Sequence, residues 1–358
     1  MKTYKIALLP GDGIGEEVCQ EAVKVLRKIE NQHDVEFKIT GGLIGGAAWP
    51  EYGHHFPDET KALVEKSDAV LFGSVGGPVE AQFEPRWLDC EKNSILAIRK
   101  FLGASINLRP APIFKELSHF CPLRADIIGE DSFEILVIRE LSGGIYFGEH
   151  SRPTPDTAYD SSTYDRATIT KLAQFAFQAA QNRNKTLHSI DKANVLETSR
   201  LWREVFELES KNWPEVKFHN LYVDNAVQQL VKWPKQFDVI ACPNLFGDII
   251  SDLTSVFPGS LGMLGSASFG TRIHLYEPSG GSAPDLEGLN IANPIAQIYS
   301  AAMMLRHSFE MHTAANAIDE AILKTIQAGY RTGDIFMEGK DETKLSCSQM
   351  GDKICEFI

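Results

Sequence analysis

Apolar residues along the chain recur in two rhythms. Short runs rich in β-branched and apolar residues, at 4–9, 35–40, 69–73, 134–140, 187–191, 217–223, 237–242 and 273–277, predict strands. Longer stretches with apolar residues three and four apart, at 15–30, 94–102, 166–184, 195–210, 225–232, 245–256, 294–307 and 314–328, predict amphipathic helices. Strand and helix alternate, which points to an α/β fold with a mixed, mostly parallel central sheet flanked by helices. Ligands in such folds bind beyond the carboxyl ends of strands, where Arg139, Lys192, Asp224 and Asn244 fall. The stretch 150–165 is rich in Pro, Ser, Thr, Asp and Tyr without helical spacing, and reads either as a loop or as an arm reaching to a second subunit.

At 358 residues the chain exceeds one comfortable hydrophobic core, so two lobes are expected. With 43% hydrophobic and 23% charged residues it is an ordinary globular composition, and no apolar run approaches the roughly 20 residues that span a bilayer. A formal net charge of −13 argues against nucleic-acid binding, so any anionic ligand must be held by individual cations. Six scattered cysteines with no C-x-x-C pairing suit reduced thiols and oppose a zinc site. No exported leader is indicated, and a cytoplasmic protein is the expectation.

Chemistry concentrates in few places. Asp248 and Asp252 stand four residues apart on a predicted helix, which stacks two like charges on one face. Such a pair either binds a hard divalent cation or consists of a helix cap and a solvated acid. The glycines of Gly11-Asp12-Gly13-Ile14-Gly15 follow a strand, but the third comes one residue early for G-x-G-x-x-G. A tight strand-to-helix turn explains them as well as ligand contact does, and a standard Rossmann fold is not expected. The loops at 74–78 and 277–286 offer open backbone N–H groups near helix starts, suited to phosphate. Asp285 could accept hydrogen bonds from a ribose and repel a 2′-phosphate, or close an Asx turn.

Taken together, the motifs LLPGDGIGEEV (8–18), GSVGGP (73–78), INLRP (106–110), VIRELSGGIYFG (137–148), SIDKANVL (189–196), VDNA (223–226), NLFGDIISD (244–252) and LYEPSGGSAPD with IANPIAQI resemble the β-decarboxylating dehydrogenases of the isocitrate/isopropylmalate dehydrogenase type over nearly the whole chain. The resemblance implies a two-domain fold, with a discontinuous cofactor domain (1–104 and 259–358) and a substrate, metal and dimerisation domain (105–258). It implies an NAD-dependent homodimer using Mg²⁺ or Mn²⁺. Arg99, Arg109 and Arg139 match the substrate arginines, which offer bidentate forks to carboxylates. Asp248 and Asp252 match metal ligands, with Asp224 of the partner subunit as the third. Lys192 matches the general base, also from the partner, with Asn194 near nicotinamide and substrate, and Tyr146 matches the acid that protonates the enolate. Cofactor contacts fall on Ile14, Gly77, Pro78, Glu91, Gly281, Ser282, Ala283, Pro284, Asp285, Leu286, Ile291, Ala292 and Asn293.

Members differ in the group borne at C3 of their 2-hydroxy acid. On a regular helix Ile95 and Leu96 share a face with Arg99, and an apolar patch there suits an isopropyl group, so 3-isopropylmalate is the expected substrate. Both could instead face the core. A tartrate or D-malate dehydrogenase shares nearly all these residues, whereas a non-catalytic regulatory subunit should have lost Lys192, Tyr146 or an aspartate ligand. Two departures stand out: Lys92 where some members carry Glu, and Gly280 where many carry His.

Overall fold

A computed structural model describes residues 2–358, and the chain forms two compact units, Met1–Ala104 with Ser260–Ile358, and Ser105–Gly259. The expected α/β class is what is found.

In the first unit five strands run in the order Val35–Gly41, Lys2–Gly11, Ala69–Ser74, His274–Pro278, Gly265–Phe269. The first four pair in parallel and the last antiparallel. Every residue of Ala69–Ser74 is buried, as a strand covered on both faces requires. Helix Gly15–Glu30 buries Val18, Cys19, Ala22, Val25, Leu26 and Ile29, one stripe at helical spacing. Glu16 and Glu17 in its first turn and Arg27 and Lys28 in its last oppose the helix dipole. The turn before it explains the glycines at 11–15. Gly11 and Gly13 adopt φ of +74° and +57°, and a Cβ at Gly11, Gly13 or Gly15 would sit 2.0 Å from a backbone oxygen.

In the second unit the strand order is Ile106–Ile113, Phe133–Glu140, Val239–Cys242, Thr186–Asp191, Lys217–Tyr222. Only the first pair is antiparallel. The other four strands therefore end at one edge, and Arg139, Asn244, Lys192 and Asp224 all leave from it. Beneath them lies a core of Ile135, Val137, Ile190, Ile240, Ile250, Phe257 and neighbours.

Within the stretch 150–165, read as a loop or an arm, His150–Thr154 and Thr157–Asp160 form an antiparallel hairpin whose residues are nearly all exposed. Two expectations need correction. The helix expected over 94–102 is broken into a π-helical turn, Lys92–Leu96, and an α-helix, Ala97–Leu102. Strands Ile106–Ile113 and Gly265–Phe269, and helices Asp58–Glu65 and Cys347–Phe357, have no counterpart in the apolar spacing.

Candidate active site

Helix Asn244–Ser255 organises the second unit's site. Its buried residues, Asn244, Gly247, Ile250, Ser251 and Thr254, follow helical spacing and lay one face on the sheet, leaving Asp248 and Asp252 on the flank. Asp248 is the fifth residue of the helix, beyond the orphan N–H groups of the first turn, so it is no cap. Arg139 lies against this helix because residue 247 is glycine: a Cβ there would stand 2.6 Å from Arg139 Cγ.

Around Asp248 three of the candidate residues meet. Arg139 donates through Nη1 to Asp248 Oδ1, and Tyr146 donates its hydroxyl to Oδ2 at 2.9 Å. The Arg139 guanidinium stands 5.9 Å from the Tyr146 ring centre. Burial, and then the Asp248 carboxylate, push the Tyr146 phenol above its ordinary range, so it stays protonated. Asp252 lies one turn on, its side chain 75% exposed, with Arg109 Nη1 at 3.6 Å. Arg109 is braced by Asn107 Oδ1 at 2.8 Å and Ser251 Oγ at 3.0 Å. Two carboxylates, two guanidinium groups and a phenol thus converge. Mg²⁺ is held through one or two carboxylates plus substrate and water, so the Asp248–Asp252 donor set fits such a cation.

Lys192 and Asp224 form a separate pair, Nζ to Oδ1 at 2.5 Å, and the lysine holds the Asp224 carboxyl below its usual range. The Lys192 backbone is anchored by Ser199 Oγ at 3.0 Å, while Asn194 beside it is exposed. Among the described residues no three His, Cys, Asp or Glu side chains gather as a metal cluster.

In the first unit Arg99 donates to Glu277 Oε1 at 2.5 Å. Ile95 packs against the core cluster of Leu9, Phe72, Ile98 and Leu275, whereas Leu96 is 54% exposed. The π turn at Lys92–Leu96 carries both residues, Ile95 partly buried against this core and Leu96 the more exposed of the two.

A cavity of about 230 Å³ in the same unit is lined by Ile14, Gly281, Ala283, Leu286, Ile291, Ala292 and Asn293, all candidate cofactor residues. Ser260, Leu261, Gln297 and Asp334 also line it and were not foreseen; Gln297 stands within the IANPIAQI motif, whereas Ser260, Leu261 and Asp334 come from segments with no motif of their own. Ala283 takes the left-handed conformation and opens the turn Pro284–Leu286, leaving Asp285 exposed. A Cβ at Gly281 would meet nothing within 4 Å, and one at Gly280 only Leu261, at 3.7 Å or beyond, so a ligand can approach this backbone. The apolar lining and open glycine backbone fit part of a dinucleotide. Ser282 accepts from the Ile14 N–H at 2.8 Å. A Cβ at Gly76 would lie 3.5 Å from Ser282 Oγ and 3.6 Å from Glu91 Oε1, so Glu91 borders this loop. Gly77, next to Pro78, makes room for the Trp87 ring, which a Cβ would approach to 2.2 Å.

Comparison with known proteins bears on these two sites together. The profile of the isocitrate/isopropylmalate dehydrogenase family matches residues 5–354. The chain belongs to that family. A 3-isopropylmalate dehydrogenase of Aliivibrio fischeri is 50% identical over 362 residues, covering 100% of this chain and 98% of its own. One of Haemophilus influenzae is 46% identical over 363 residues, with both chains covered in full (100%). Among solved structures, an isocitrate dehydrogenase from Methylococcus capsulatus shares 30% identity and a TM-score of 0.81, covering 99% of each chain. A β-decarboxylating dehydrogenase from Thermococcus kodakarensis shares 32% identity and a TM-score of 0.79, covering 99% of this chain and 96% of its own. As an isocitrate/isopropylmalate dehydrogenase family member, the chain carries Arg109, Arg139, Tyr146, Asp248 and Asp252 on one sheet edge and keeps the Lys192–Asp224 pair on the same edge. No helix among the described residues is long and apolar enough to cross a membrane.

Proposed function

We propose that the chain catalyses the NAD-dependent oxidative decarboxylation of 3-isopropylmalate to 4-methyl-2-oxopentanoate and CO2, a step of leucine biosynthesis. The observation that carries this reading is the meeting of Arg139, Tyr146 and Asp248, with Arg109 and Asp252 beside them. The names of relatives at about half identity support the choice of substrate.

When bound, NAD⁺ supplies the hydride acceptor and the divalent cation a Lewis acid, held by Asp248 and Asp252 with Asp224 of a second copy. The chain's own groups do the rest. Arg99, Arg109 and Arg139 bind the two carboxylates and fix the substrate's orientation. Lys192 of the second copy, which lies beside that copy's Asp224, removes the hydroxyl proton as the C2 hydride departs, leaving a β-keto acid. The bond from C3 to its carboxylate then breaks, CO2 leaves and the electron pair passes into an enolate. Tyr146, kept protonated by burial and by Asp248, delivers its proton to C3.

A homodimer completes this site. Asp224 is committed to Lys192 within its own chain, and Val231, Trp233, Ile249 and Val256 are exposed apolar residues of the same unit. Asp285 in the cofactor loop favours NAD over NADP. Leu96, rather than Ile95, meets the isopropyl group.

Steady-state kcat/KM on 3-isopropylmalate, D-malate and isocitrate tests the reading. A preference of about tenfold or more for 3-isopropylmalate is expected. An equal preference for either rival overturns the substrate assignment.

A further inference from the structure

Arg139 is 7% exposed, and besides Asp248 it is held by Asn244. Its Nε and Nη2 both donate to Asn244 Oδ1, at 3.1 and 2.9 Å, so a single carboxamide oxygen grips two of the three guanidinium nitrogens. The amide cannot flip without turning its NH2 toward those donors, and its own Nδ2 donates to Gly143 O at 3.1 Å. Gly143 begins the loop that presents Tyr146 in the turn Ile145–Phe147. The same residue is therefore tied to the arginine on one side and to the tyrosine's loop on the other.

A second layer holds Asn244 itself. Its backbone N–H donates to Tyr164 Oη at 2.8 Å, and the Tyr164 hydroxyl bonds Glu140. The Glu140 carboxylate accepts from Ser142 N at 2.6 Å, Ser142 Oγ at 2.5 Å and Gly143 N at 2.9 Å. Glu140 is 0% and Asn244 1% exposed, so the two groups at the centre of the network are buried, while Ser142 at its rim is exposed. Gly143 and Gly144 leave room for the ring: a Cβ would lie 2.7 Å or 2.6 Å from Tyr164.

We infer that Asn244 is a positioning residue that sets the Arg139 guanidinium and the Tyr146 loop together, with Tyr164 and Glu140 behind it. Anion recognition and proton delivery then share one buried amide. The inference rests on the reaction proposed above, and the test separates the two.

Asn244→Ala removes both tethers and should raise KM for the hydroxy acid and lower kcat, each about tenfold, with KM for NAD unchanged. Asn244→Asp keeps an acceptor for Arg139 but lacks the donor to Gly143 O, so KM should recover to within about threefold of wild type while kcat stays low. Tyr164→Phe, the variant to use if Asn244→Ala does not fold, should lower kcat more than it raises KM. Amide hydrogen exchange over residues 141–148 should quicken about tenfold in all three, a readout that needs no turnover. Unchanged kinetic constants in folded variants, or a lower Tm with unchanged exchange in this loop, would overturn the inference. A wild-type enzyme that turns over none of the hydroxy acids would overturn the proposed reaction, and loop exchange would still decide the role of Asn244.

Discussion

Asp248→Asn replaces the carboxylate at the centre of the site by a neutral group of the same shape. In the native protein that carboxylate accepts from buried Arg139 and from Tyr146 at 2.9 Å. The amide can accept from only one of them, because its NH2 would face the other donor. Charge-assisted hydrogen bonds contribute about 1.5–3 kcal/mol when buried. The Asp248 side chain is 35% exposed, and Arg139 keeps both bonds to Asn244, so the net cost is about 1–2 kcal/mol. For a domain of this size that lowers Tm by about 2–8 °C. The effect on rate is of another order: losing one of three hard anionic ligands and the acceptor that orients the acid should cut kcat about 100-fold or more. Differential scanning calorimetry and initial rates over a Mg²⁺ titration separate these effects, and the Mg²⁺ needed for half-maximal rate should rise at least about tenfold. A rate within about threefold of wild type, accompanied by the Tm loss, would mean that Asp248 only braces Arg139 and Tyr146.

Lys192→Ala should lower kcat about 100-fold or more while leaving NAD affinity unchanged; equal damage to both would mark a structural lysine. Mixing Lys192→Ala and Asp248→Asn subunits under conditions of subunit exchange should restore about a quarter of wild-type activity, because half the dimers would carry one intact site, and no recovery would refute a shared site. Leu96→Ala should cost about tenfold in kcat/KM for 3-isopropylmalate and less for D-malate, while Ile95→Ala should mainly lower Tm; the reverse pattern would return the isopropyl contact to Ile95. His188 is buried against Phe237 and His219, and burial first, then His219, lower its pKa from 6.5 to about 4. The unfolded chain binds this proton near the ordinary value and the folded chain resists it, so stability is full above about pH 6.5 and is lost as pH falls toward 4, by up to ~1.4 kcal/mol per pH unit. His307 behaves alike, so His188→Gln should flatten the slope of Tm against pH over that window without abolishing it; an unchanged slope refutes the assignment.

Much of the site could be read from sequence because its residues stand where strands end. Arg139, Lys192, Asp224 and Asn244 follow runs whose apolar patterning marks the parallel strands, and parallel strands deliver their ends to one edge. Less legible was anything fixed by distant neighbours. Strand Ile106–Ile113 contains Pro110 and Pro112, which lack ladder donors, yet it pairs antiparallel with Phe133–Glu140. Gly265–Phe269 (GSASF) is mostly small residues and ends in its one large apolar side chain, and the exposed hairpin within 150–160 carries no apolar alternation. The π turn at Lys92–Leu96 leaves the apolar spacing intact, and there Ile95 and Leu96 looked equivalent but differ in burial. Asp12 gave no sign of its part, accepting from Gly46, Ala47 and Gly76 N–H groups at 2.9, 2.7 and 3.0 Å and tying the first strand to two loops. Asn244, Tyr164 and Glu140 likewise meet only in the fold.

The central claim is that Asp248 and Asp252 hold a divalent cation on which the oxidation of a hydroxy dicarboxylate depends. It is tested most directly by following NADH formation from 3-isopropylmalate with protein stripped by chelator and then supplied with Mg²⁺. The account predicts a rate reduced about 100-fold or more on stripping and restored by Mg²⁺, with CO2 released in step with NADH. A stripped enzyme that keeps its full rate would contradict it.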